Sequence, residues 1–127
     1  MDRVNRKDCT YKLMPGRNAT CAFGEGGYVE ETECMMGFVT FAPKYGEMEP
    51  HCHGTEIMYV EDAKGASVRY GSAPDKLDNE DKLEKGEVIC LGDGEWHKFF
   101  FEDADSYVKF VVFMGGTPKT INASDLK

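Results

Sequence analysis

A chain of 127 residues, 41% hydrophobic and with 15 aromatic side chains, has the length of one domain and enough apolar volume to fill its core without covalent staples. The net charge of −8 is uneven: residues 1–20 hold five basic and two acidic side chains, and the remainder holds ten basic and twenty-one acidic, which argues against a nucleic-acid partner. No run approaches the ~20 apolar residues of a membrane span, and five cysteines without paired spacing, with no apolar run behind a basic start, predict free thiols in a reducing cytoplasm.

Residues 1–25 read as a loosely specified arm, able to add an edge strand to the single domain expected over 26–127. Its basic residues Arg3, Arg6, Lys7, Lys12 and Arg17 could bind an anion, but the expectation is that they lie across an acidic surface of the same or a neighbouring chain. Gly24-Glu25-Gly26-Gly27 is followed by neither Lys-Ser/Thr nor a helical pattern and is not a phosphate loop. From Glu33 onward short apolar runs are punctuated by Gly, Pro and Asp, as strands are. The first is Cys34–Phe41, whose Met35-Met36 pair is expected in the core. After Pro43, Gly46 and Pro50 comes His51-Cys52-His53, then Glu56 and the strand Ile57–Glu61. Ala66–Tyr70 follows Gly65, and the highly charged stretch Lys76–Lys85 reads as a solvated turn or short hairpin. Glu87–Leu91 leads through Gly92-Asp93-Gly94 into Trp96–Phe101, which carries His97. The acidic turn Glu102-Asp103-Ala104-Asp105 precedes the last strand, Ser106–Met114. No amphipathic helical segment competes, so the fold class is all-β, a sandwich or barrel.

Two of the three histidines flank a single residue, and positions i and i+2 of a strand share a face, so His51 and His53 can offer two imidazoles to one point. A turn at Gly54-Thr55 returns Glu56 to that face, and His97 can join from a strand remote in sequence. An isolated H-x-H is as readily a surface or half-buried pair; the carboxylate, the strand signals and the distant histidine favour a metal site of His51, His53, Glu56 and His97. Such donors with open positions suit Fe(II), Mn(II), Ni(II) or Zn(II). All three imidazoles must be neutral to bind, and an unperturbed imidazole titrates near ~6.5. Parity places Met58 and Val60 with Glu56, and Phe99 and Phe101 with His97, while Tyr59, Lys98 and Phe100 face away. Cys52 should point outward, Trp96 should pack, and Glu47 and Glu49 are loop carboxylates at the rim.

These residues resemble the two sequence motifs of the cupin superfamily. Gly46, His51, His53, Glu56, the strand Ile57-Met58-Tyr59-Val60 and Gly65 match the first; Gly86, Gly92-Asp93-Gly94, Glu95-Trp96 and His97 match the second. The Gly46–His51 and His53–Glu56 gaps are each one residue shorter than usual, Gly92 replaces a proline, and Phe101 stands where an asparagine is common. The shorter second gap displaces Glu56 along the turn, so that either its carboxylate or a water completes the donor set. The resemblance implies a double-stranded β-helix, or jelly-roll barrel, with one divalent ion inside its mouth and a homodimeric assembly. A small all-β domain with open sheet edges points the same way. Three classes of function follow: a metalloenzyme of isomerase, dioxygenase or decarboxylase type acting on a small polar metabolite; a non-catalytic metal-dependent binder or sensor; and a structural barrel with an adventitious ion. Short loops and no second barrel argue against a large substrate.

Overall fold

The computed structural model describes residues 1–116 and 119–126. It is all-β: β1 (Lys12–Met14), β2 (Arg17–Phe23), β3 (Cys34–Phe41), β4 (His51–Cys52), β5 (Glu56–Lys64), β6 (Ala66–Gly71), β7 (Asn79–Lys82), β8 (Val88–Leu91), β9 (Trp96–Phe101), β10 (Tyr107–Gly115) and β11 (Ile121–Asn122). They form two antiparallel sheets in the orders β1-β2-β3-β10-β5-β8 and β11-β4-β9-β6-β7, the two layers of the expected jelly roll. Strands with alternating or continuous apolar runs fall where the sequence predicts them, β3 and β9 to the residue.

The arm does more than add an edge. Its β2 pairs along β3, Arg17 opposite Phe41 and Cys21 opposite Gly37, and β1 extends the sheet beyond it. Ahead of them Arg6 lies across the outside of the same sheet. It donates two hydrogen bonds to the Glu61 carboxylate at 2.8 and 2.9 Å and stacks 4.3 Å from the Phe38 ring. Of the leader's basic residues, Arg6 thus meets an acidic group of its own chain. The charged stretch forms a short hairpin in which exposed β7 pairs with β6, and Leu83 just after it turns into the core.

Period-two alternation builds the interior. In β10, Val108, Phe110, Val112 and Met114 are buried between more exposed neighbours, and in β5 Glu56, Met58 and Val60 do the same. Phe41, Phe99 and Phe110 meet with ring centroids 4.4 to 5.9 Å apart, and with Val60, Val68 and Val108 they fill one half of the barrel. The other half is open. On the outer face of the six-stranded sheet the register aligns two apolar rows across four strands: Met36, Phe113, Ile57 and Cys90 in one, Phe38, Val111, Tyr59 and Val88 in the other. The five cysteines are free thiols, and among the described residues no helix is long and apolar enough to cross a membrane.

Candidate metal centre

His51 opens β4 and pairs directly with His97 of β9. Directly opposed residues of an antiparallel pair project to one face, which puts these two imidazoles side by side on the inner wall. The strand ends at Cys52, so His53 reaches the site from the following loop rather than by strand alternation. That loop is tied to the second motif: the Gly94 N–H donates to the His53 carbonyl at 3.0 Å, with Gly94 at φ +73°. Gly54-Thr55 then carries the chain from one sheet to the other, where Glu56 starts β5 between Leu91 and Met114.

The three imidazoles are all buried, and their candidate donor atoms lie within 4.8 Å of one another. Each ring is oriented by its own backbone. Nδ1 of His51 meets the Glu49 carbonyl at 3.3 Å, that of His53 the Gly54 carbonyl at 2.8 Å, and that of His97 the Glu95 carbonyl at 2.9 Å. A carbonyl only accepts, so each Nδ1 carries the proton and each Nε2 keeps a lone pair. Burial pushes the His51 pKa down to about 4 and, with help from neighbouring His51, the His97 pKa to about 3; burial lowers His53 too. The rings are therefore neutral over the ordinary pH range. The donor set fits a divalent transition ion, for which neutral imidazole nitrogens are apt ligands.

Glu56 is buried on the adjoining wall, 3.5 Å from His53 Nε2, but stands outside the mutual grouping of the three rings. Burial pushes its pKa up to about 7, against an opposing pull from Arg17. With His53 neutral the contact is not an ion pair. It is a carboxyl group facing a nitrogen lone pair, an arrangement that a shared proton or a cation satisfies.

These groups line a cavity of about 530 Å³ in the open half of the barrel. Its other walls are mainly apolar: Ala19, Met35, Val39, Phe41, Met58, Val112 and Met114. Met58, Val60 and Phe99 are buried as parity predicts, and Phe101 is partly buried against the same core. Trp96 packs inside. Cys52 is buried too, at 5% exposure, and burial raises its thiol pKa; the outward position expected for it is covered rather than solvent-facing. Glu49 accepts from the Ser124 hydroxyl at 2.6 Å and Glu47 sits 3.9 Å from Lys98, so both rim carboxylates have local partners. The substitution of proline by Gly92 requires no special backbone: the positive φ of that turn belongs to Gly94.

Arg17 is the residue that sequence reading misplaces. Grouped there with the basic leader, it turns into the cavity from the start of β2. The signal lay in the pattern Arg17, Ala19, Cys21, three inward positions too mixed in polarity to announce a strand.

No family model and no curated protein matches this sequence. Solved structures do. The polyketide cyclase RemF of Streptomyces resistomycificus is 21% identical over 96% of this chain and 84% of its own, with a TM-score of 0.71. A sugar phosphate isomerase from a cupin superfamily, from Silicibacter pomeroyi, is 16% identical over 95% and 81%, with a TM-score of 0.62. Oxalate decarboxylase of Lactobacillus farciminis is 17% identical over 94% of this chain and 35% of its own, at 0.67. The chain has the cupin fold.

Proposed function

We propose that this cupin barrel is a mononuclear metalloenzyme acting on a small molecule, with His51, His53 and His97 holding the ion through Nε2 and Glu56 completing the set. The observation that carries this reading is the convergence of three neutral, backbone-oriented imidazoles on the wall of a 530 Å³ cavity. The bound ion would supply Lewis acidity toward a substrate oxygen in isomerase or decarboxylase chemistry, or redox chemistry with dioxygen as co-substrate in the dioxygenase alternative. The protein's part is to keep the imidazoles unprotonated and to set them beside a cavity whose walls are mainly apolar. Cyclase, decarboxylase and isomerase among the structural neighbours support an enzymatic use without choosing a reaction. The apolar walls favour a substrate with an apolar body behind its polar end, rather than a wholly polar metabolite.

Elemental analysis of tag-free protein, followed by ligand binding with and without chelator, tests the proposal. One divalent ion per chain, with ligand affinity lost on chelation, is the expected result. Ligand binding indifferent to chelation would overturn the metal's role, and metal-dependent binding without turnover would favour the non-catalytic binder. We further propose a homodimer, supported by the two apolar rows on the outer sheet face, and a reducing cytoplasmic setting, supported by the free thiols.

A further inference from the structure

Arg17 stands at the inner end of the arm, opposite Phe41 in the β2–β3 register, with its guanidinium 5.9 Å from the Phe41 ring and Nη1 3.5 Å from Met48 Sδ. A thioether is a weak acceptor, and a guanidinium offers five N–H donors in a planar fork. Among the described residues Arg17 makes no ion pair, whereas Arg6 and Arg69 each hold a glutamate within 3.1 Å. Glu56 is near enough to be affected by its charge, yet makes no ion pair with it. Arg17 lines the cavity, and its other donors are not fully buried, since among the described residues no buried side-chain nitrogen lacks a partner. Burying a cation part-way beside methionines and phenylalanines with so weak an acceptor is costly unless an anion arrives to use the fork.

We propose that Arg17 anchors the carboxylate of an organic acid whose apolar body lies along Met35, Val39 and Met58, with its far end directed toward the three histidines. The proposal rests on the reading of the cavity as a substrate site and adds the class of substrate. A carboxylate fits better than a phosphate monoester. One guanidinium matches one negative charge in a bidentate pair, and among the described residues the cavity lining holds no second buried cation for a dianion, Lys12 being an exposed strand residue. The apolar lining has room for a ring or short acyl chain, for which 530 Å³ is ample.

The test uses 3-phenylpropionate, its amide, and phenyl phosphate as probes, titrated calorimetrically into metal-loaded wild type and Arg17→Gln, with metal content measured on each. The wild type is expected to prefer the carboxylate to the amide by at least about tenfold, in line with a desolvated charge-assisted pair, and to bind phenyl phosphate more weakly than the carboxylate. Arg17→Gln should erase the carboxylate preference while keeping the wild-type metal content. Equal binding of acid and amide by the wild type overturns the proposal, as does a preference that survives in Arg17→Gln or tighter binding of phenyl phosphate. If Arg17→Gln does not fold, Arg17→Lys keeps the charge and loses the fork, and should weaken the acid more than the amide; equal weakening overturns it. A wild type that binds no metal yet retains the Arg17-dependent preference would sink the metalloenzyme reading and leave the anion anchor standing.

Discussion

His97 and Glu56 are held in the site by different means, and substitution separates them. The His97 ring is 1% exposed and fixed through Nδ1 to the Glu95 carbonyl, on a strand far in sequence from His51. An ion bound there joins distant parts of the chain and favours the folded state. At about 100 times its dissociation constant it would contribute roughly 2.7 kcal/mol. His97→Ala should therefore empty the site and lower the melting temperature at least to that of chelated wild type. A full complement of metal with an unchanged melting temperature would remove His97 from the centre. Acid release of the metal should not follow an ordinary imidazole near 6.5, because burial has already moved His51 to about 4 and His97 to about 3. The group that titrates higher is Glu56, at about 7. If it coordinates, binding the ion expels its proton, and metal affinity should fall about tenfold per pH unit below 7. Glu56→Gln should weaken binding and abolish that slope; titrations from pH 5 to 8 showing the same slope in both proteins would exclude Glu56 as the origin. The chelated protein has opposite signs in its two parts. Glu56, raised above its ordinary 4.5, adds stability that is lost as pH rises through about 7, whereas His51, lowered from 6.5, adds stability that is lost as pH falls through about 4.

The turn between β8 and β9 governs how the two motifs meet. Gly94 takes a positive φ of 73° and its N–H holds the His53 carbonyl, so an added Cβ is strained even though space around it is open. Gly94→Ala should cost about 1–2 kcal/mol of stability by denaturant unfolding and weaken metal binding by shifting His53 against His97. Gly92→Ala, whose Cβ would come no nearer than 3.9 Å to Glu95 Oε1, should do neither. Identical metal affinities in the two variants would show that this turn does not set the histidine geometry. The strands near the site were legible for physical reasons: β3, β5 and β9 bury one face or both, and their apolar runs are bounded by turn residues. The arm was not. In β2 the inward Arg17, Ala19 and Cys21 alternate with Asn18, Thr20 and Ala22, so neither face is distinctly apolar. In β7 every residue is exposed, which leaves no periodic burial to detect. The three histidines were readable from spacing and type, though His53 arrives by a loop rather than a strand. Arg17 was unreadable as a cavity residue because its role depends on a register with β3 that no local pattern encodes.

For the whole molecule, the outer face of the six-stranded sheet is the largest-scale feature that bears on the proposed homodimer of a chain with net charge −8. Ile57, Tyr59, Val88 and Phe113 are 41 to 64% exposed there, in contiguous register across three strands. An exposed apolar patch of this kind is the surface on which the proposed homodimer rests. Light scattering should give a dimer, and Tyr59→Glu with Phe113→Asp should give a monomer of unchanged metal content; a monomeric wild type at tens of micromolar, as a rough working range for a stable interface, would refute the pairing. The same sheet has a further property in its strand order. β10, late in the chain, lies between β3 and β5 and pairs with both, joining residues such as Phe113 and Met36 that are more than seventy positions apart. β3 and β5 share no edge of their own in this sheet and are joined only through β10. Nascent chains ending before Tyr107 keep two open edges and an uncovered apolar layer, the condition in which chaperones capture a polypeptide.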